Sequence, residues 1–232
     1  MRFKLLFFDY NADYIAEYQH LTNSIPGVEL VFEVGDVRDV IRRHSPQILV
    51  SPANCHGWMD GGIDAIYMEM FPEIEPRVKA RIHQFGIKTA RGDPVIPIGS
   101  AVLVPTGPCV TGPIQTKLLA CVPTMVTPQN ISGTPTNVYW AMRGLLNLIH
   151  MIDRNGSWDD VTGKTEITIA CPCLGTGVGK LEIGESTRQV QAALFAHASA
   201  DQSVCDAKCD VTVITKPWAY VLTNHANKRP DE

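Results

Sequence analysis

The sequence lacks any apolar run long enough for a membrane-spanning helix, so no membrane partner is expected. It lacks a basic excess. The formal net charge is −4, which argues against duplex nucleic acid as a partner and requires any anion to be held by local features. Paired Cys-x-x-Cys spacing is absent too. The seven cysteines (Cys55, Cys109, Cys121, Cys171, Cys173, Cys205 and Cys209) are odd in number and irregularly spaced, against a secreted disulfide framework. Reduced thiols in a cytoplasmic protein are the expectation. Cys171, Cys173, Cys205 and Cys209 imitate a four-thiolate zinc site only loosely, so neither a metal nor a cofactor is expected. The apolar stretch Leu5-Leu6-Phe7-Phe8 is short and no small-residue cleavage site follows, so it reads as a buried first strand and not a signal peptide. Internal repeats, low-complexity segments and domain linkers are also missing.

What is present is an ordinary globular balance: 232 residues, 45% hydrophobic and 19% charged. One domain over residues 1–222 with a polar tail at 223–232 fits that length. Strands are expected at residues 3–9, 28–34, 47–51, 99–104, 117–122, 166–171 and 210–215. Helical spacing falls at 11–22, 36–43, 61–71, 72–85, 134–153 and 183–198, with Thr134-Pro135 as a helix start. Residues 154–164 read as a loop. Strands alternate with helices throughout, which predicts a three-layer α/β/α fold with helices on both faces of the sheet. In such sheets ligands gather beyond the strand C-termini.

Two glycine-bearing segments fall there. In the first, the strand ending at Ser51-Pro52-Ala53 leads into Asn54, and after six intervening residues Gly61-Gly62 opens a helix at Ile63-Asp64. Paired glycines permit close backbone approach, and the helix N-terminus adds positive partial charge. The second runs Cys171-Pro172-Cys173-Leu174-Gly175-Thr176-Gly177-Val178-Gly179-Lys180, a strand feeding a glycine turn, the general form of a phosphate cradle. Spacing excludes stock motifs. A P-loop needs glycine at Leu174 and Ser or Thr at Leu181, and a dinucleotide fingerprint needs glycine at Lys180. No cysteine is followed six positions on by arginine, and Gly-x-Ser-x-Gly does not occur.

These residues resemble the macrodomain family. Val50-Ser51-Pro52-Ala53-Asn54 is similar to its strand-to-Asn motif, typically Val-Asn-Ala-Ala-Asn. Asp60-Gly61-Gly62-Ile63-Asp64-Ala65-Ile66 looks like its glycine run and helix start, and the Asn-to-Gly spacing matches without a gap. Residues Gly175 to Gly179 stand where its second loop lies, and Gly35-Asp36-Val37 resembles its Gly-Asp-Ile element. The stretch from Ala120 to Pro128 looks like a stand-alone bacterial or phage subgroup. The resemblance implies a mixed central sheet and a protein that binds ADP-ribose or an ADP-ribosylated substrate. It implies adenine contact at Asp36 and Val37, and distal-ribose and phosphate contact at Ala53, Asn54, Gly61, Gly62 and Ile63. It implies a diphosphate cradle at Gly175, Thr176, Gly177, Val178 and Gly179. Asp64, ten residues past Asn54, stands where the hydrolytic branch carries an acid, so Asp64 and Asn54 are the catalytic candidates.

Each residue also has a plainer reading. Asp36 suits a helix cap, Asn54 suits hydrogen bonding to its own turn, and Asp64 suits a helix first turn. His56 reads as a loop histidine, Lys180 as solvated and Trp218 as core. Three departures stand out: Asp60 replaces a common glycine, Ser51 replaces the first Asn, and Val178 stands where many members have an aromatic. The substrate therefore stays open, as does the choice among a hydrolase of ADP-ribosyl esters or ADP-ribose 1″-phosphate, a non-catalytic ADP-ribose reader, and a binder of another nucleotide.

Overall fold

The structure, a computed structural model, describes residues 2–112, 114–155 and 166–199. In chain order the elements are β1 (Arg2–Asp9), α1 (Ala12–Tyr18), β2 (Val28–Val34), α2 (Val37–His44), β3 (Ile48–Ser51), α3 (Gly62–Met70) and α4 (Ile74–Phe85). Then follow β4 (Ile87–Lys88), β5 (Pro94–Val95), β6 (Val102–Pro105), β7 (Leu118–Cys121), α5 (Thr136–Asn155), β8 (Glu166–Pro172) and α6 (Ile183–Ser199). Six strands form one sheet in the order β2-β1-β8-β3-β7-β6. All neighbours run parallel except β6, which lies antiparallel to β7 at the edge. The sheet is therefore mixed, as the resemblance implies.

Alternation along the strands explains the layering. Leu5 and Phe7 of β1, Ile48 and Val50 of β3, Leu118 and Ala120 of β7, and Ile167 and Ile169 of β8 face one side, where α1, α5 and α6 cover them. Leu6 and Phe8, Leu49, Leu119 and Cys121, and Ala170 face the other side, under α2, α3 and α4. Successive side chains of a strand point to opposite faces, so a strand buried on both sides must be apolar throughout. The continuous runs Leu5 to Phe8 and Ile48 to Val50 satisfy that demand, each with relative exposure of 3% or less.

Most element boundaries agree with the sequence reading. The first helix stops at Tyr18, short of Thr22, because the chain turns there through bonds from Gln19 N to Ile15 O and Leu21 N to Tyr18 O. The helix α5 runs on to Asn155, into the stretch read as a loop. The small β4–β5 pair was not expected, since two-residue strands carry no legible alternation. The expected strand at residues 210–215, Trp218, Cys205, Cys209 and the tail lie outside the described residues, as do residues 156–165.

Candidate ligand-binding cleft

The parallel strands β1, β2, β8 and β3 all end on one side of the sheet, and their exit loops enclose a cleft of about 440 Å³. The cleft is lined by Asp36 and Val37 after β2, by Ala53, Asn54, Gly61, Gly62, Ile63 and Asp64 after β3, and by Gly175, Thr176, Gly177, Val178 and Gly179 after β8. The residues expected to contact a ligand therefore all line one cleft, although 143 positions separate Asp36 from Gly179. Sequence reasoning missed Phe8 and Asp9 at the end of β1, Tyr10 just after it, Trp58 in the first loop, and Thr124 and Met125 after β7. Strand order brings the residues of β1 and β7 to the cleft; for Trp58 the available signal was its place between Asn54 and Gly61, inside the first glycine-bearing loop.

Asn54 organises the first loop. Its Oδ1 accepts from His56 N at 3.1 Å and Trp58 N at 3.3 Å, and its Nδ2 donates to Trp58 O at 2.8 Å. The bridge Asn54–Met125 and the bond from Cys55 N to Met125 O tie the loop to the chain after β7. The amide thus does the turn-forming work and keeps one N–H over for a ligand. Gly61 caps α3 without a side-chain bond, and Gly62 takes a positive φ of 58°. The first-turn N–H groups of α3 have no carbonyl four residues back to bond.

The second loop is pinned from behind. Leu174 N donates to Tyr18 Oη at 3.0 Å, Tyr18 Oη lies 2.6 Å from Ser186 Oγ, and Ser186 Oγ donates to Leu174 O at 2.7 Å. Leu181 N donates to Gly175 O at 3.0 Å and Ile131 N to Gly179 O at 2.8 Å. Gly179 cannot carry a side chain, because a Cβ there would lie 2.5 Å from Gly175 O. The carbonyls are used in holding the loop's shape, while the N–H groups of residues 175–179 donate to no partner among the described residues. The two glycine loops face each other: a Cβ on Gly61 would come 4.0 Å from Val178 Cγ2.

Carboxylates surround this cradle. Asp9, Asp36, Asp60 and Asp64 all line it, and no lysine or arginine does among the described residues. Asp36 caps α2 by accepting from Arg38 N at 2.8 Å, so the helix-cap reading holds alongside its place in the cleft. Burial raises Asp9, against hydrogen bonds from the Asn11 and Tyr10 backbone. Asp64 is 7% exposed, and its Oδ1 is buried without a hydrogen-bond partner. Burial is the main cause that pushes its pKa up to about 7, and the charges of Asp60 and Glu75 push the same way. The Ser51 hydroxyl opposes the shift, although Ser51 Oγ, also fully buried, meets no partner at hydrogen-bond geometry. Ser51 follows Leu49 on the face of β3 that α3 covers, and this brings it under Asp64.

Four buried thiols are held protonated. Burial pushes Cys55 up to about 11 and raises Cys121, Cys171 and Cys173 as well. Lys180 is exposed and does not line the cleft. His56 stacks on Trp58, ring centroids 4.5 Å apart.

No family profile and no curated protein matches this sequence. Solved structures do. The macrodomain of Mycobacterium tuberculosis DarG is 21% identical, over 73% of this chain and 91% of that one, with a TM-score of 0.50. The macrodomain of Thermus aquaticus DarG is 20% identical over 67% and 86% of the two chains, with a TM-score of 0.46. An Oceanobacillus iheyensis macrodomain mutant with ADPR is 14% identical over 69% and 76%, with a TM-score of 0.47. The first of these shows the fold, and the six-stranded mixed sheet of this chain agrees with it. The chain has the macrodomain fold.

Proposed function

We propose that this protein binds ADP-ribose or a close derivative in the cleft and hydrolyses an ADP-ribosyl ester or ADP-ribose 1″-phosphate. The observation that carries the reading is the convergence of the 36–37, 53–64 and 175–179 segments on one cleft, with backbone N–H groups that have no partner among the described residues in a glycine-rich cradle. Neutral N–H donors suit a diphosphate in a protein of net charge −4. In this reading Asp36 and Val37 receive the adenine, and residues 175–179 wrap the diphosphate. Gly61, Gly62 and Ile63 bound the distal ribose, to which Asn54 offers its remaining N–H. Water adds to the ester carbon or the phosphorus as Asp64 takes its proton; the bond to the ribose oxygen breaks, and Asp64 returns that proton to the departing ribose oxygen, leaving ADP-ribose and a free acid or phosphate. A carboxyl with a pKa near 7 is suited to that exchange at neutral pH.

Calorimetry with ADP-ribose tests the binding, and product release from O-acetyl-ADP-ribose, ADP-ribosylated protein and ADP-ribose 1″-phosphate tests the chemistry. The expected result is binding by both the unaltered protein and Asp64→Ala, with turnover lost in the variant. Absence of binding at about 1 mM ADP-ribose overturns the reading. One observation favours a second reading, a non-catalytic reader: the Asn54 amide is largely consumed by its own turn. Binding without product from any of the three substrates selects it.

A further inference from the structure

The geometry points to Trp58 as the residue that recognises the distal half of the ligand, an inference that rests on the proposed binding of ADP-ribose. The sheet order sets out the cleft: Asp36 follows β2, the glycine loop 175–179 follows β8, and Trp58 follows β3, on the far side of β8 from β2. Four neighbouring strands at ~4.8 Å spacing span roughly 15 Å. A ligand with its base at Asp36 and its diphosphate at the glycine loop must place its remaining sugar toward Trp58.

Trp58 is prepared for a contact that the protein itself does not make. Its neighbour Met59 is fully buried, and both its N–H and its carbonyl are held by the Asn54 side chain, so the backbone beneath it is fixed. Trp58 is 40% exposed and lines the cleft. His56 lies parallel to it, with ring planes 9° apart, and no other ring stacks on it among the described residues. An indole supported on one face by His56, in a residue that lines a cleft, is an amphipathic platform of low conformational cost. The other exposed tryptophan among the described residues, Trp140, lies on α5 outside the cleft lining. On the facing loop stands Val178, 47% exposed and aliphatic, so among the cleft residues of the two glycine-bearing loops Trp58 supplies the aromatic surface. Its function is selectivity for ligands that carry a sugar beyond the diphosphate.

The test compares ADP-ribose with ADP, which shares the adenosine and diphosphate but lacks the distal ribose. Calorimetry is run on the unaltered protein, Trp58→Ala and Trp58→Phe. Trp58→Ala is expected to weaken ADP-ribose on the order of tenfold and ADP by less than about twofold, while Trp58→Phe retains most of the affinity. The tryptophan fluorescence change on adding ADP-ribose should disappear in Trp58→Phe. Equal loss for both ligands, or unchanged affinity for ADP-ribose, overturns the inference and leaves the proposed function standing. Failure of the unaltered protein to bind ADP-ribose overturns both.

Discussion

Asp64 occupies the first turn of α3, where a helix N-terminus favours the charged carboxylate, yet its surroundings favour the proton. Burial removes water, and the nearby charges of Asp60 and Glu75 repel a further one. Its folded pKa, about 7, exceeds the ~3.9 of an unfolded aspartate. The folded state therefore holds the proton more tightly, and this contribution to stability is complete below about pH 4. It is lost as pH rises to about 7 and is absent above. The difference in urea stability between the unaltered protein and Asp64→Asn should shift by a few kcal/mol across that window; a flat difference contradicts the burial argument. Ser51→Ala should raise the Asp64 pKa and Asp60→Asn should lower it, both read from the carboxyl carbon by NMR. Turnover, where Asp64 is the base, should climb with pH through about 7 and then level off.

At the scale of elements, the second loop owes its shape to contacts behind it. The Tyr18–Ser186–Leu174 network joins α1, α6 and the end of β8, with all three residues buried. Tyr18→Phe strands Leu174 N and half-strands Ser186. It should cost about 1–3 kcal/mol in chemical denaturation and weaken ADP-ribose binding in parallel. Gly179→Ala collides with Gly175 O and should reduce binding more than tenfold by reshaping the cradle, read by calorimetry. Neither effect was legible in the motif itself. Glycine spacing marked the loop, but Tyr18 lies 156 positions from Leu174, and only packing brings it there. The unexpected β4–β5 pair is a similar case, since backbone pairing of Ile87 with Val95 leaves no periodic trace.

For the whole molecule, charge makes a separate demand. The net charge is −4, and four aspartates line a cleft that has no lysine or arginine among the described residues. An anionic ligand held there by neutral N–H groups feels overall repulsion, which salt screens. Raising NaCl from about 50 to about 500 mM should leave ADP-ribose affinity unchanged or improve it by calorimetry. A steep loss would mean that cationic side chains hold the phosphates. No helix among the described residues is long and apolar enough to cross a membrane.

Local sequence by itself determined the layered architecture and the two loops. Double-sided burial demands uninterrupted apolar strands such as Leu5 to Phe8, and a strand-to-glycine-to-helix junction has few backbone solutions. Asn54 and Asp64 came as candidates through the family resemblance of the first loop. What the sequence left open is which of two uses each polar group has, because a cap, a turn and a ligand contact draw on the same residue types. Tertiary structure decided that Asn54 spends most of its amide on the turn, that Asp36 caps α2, and that Asp64 is sealed against Ser51. It alone brought Tyr10 and Met125 to the cleft, since the order β2-β1-β8-β3-β7 is a matter of strand pairing across the chain and not of any local pattern.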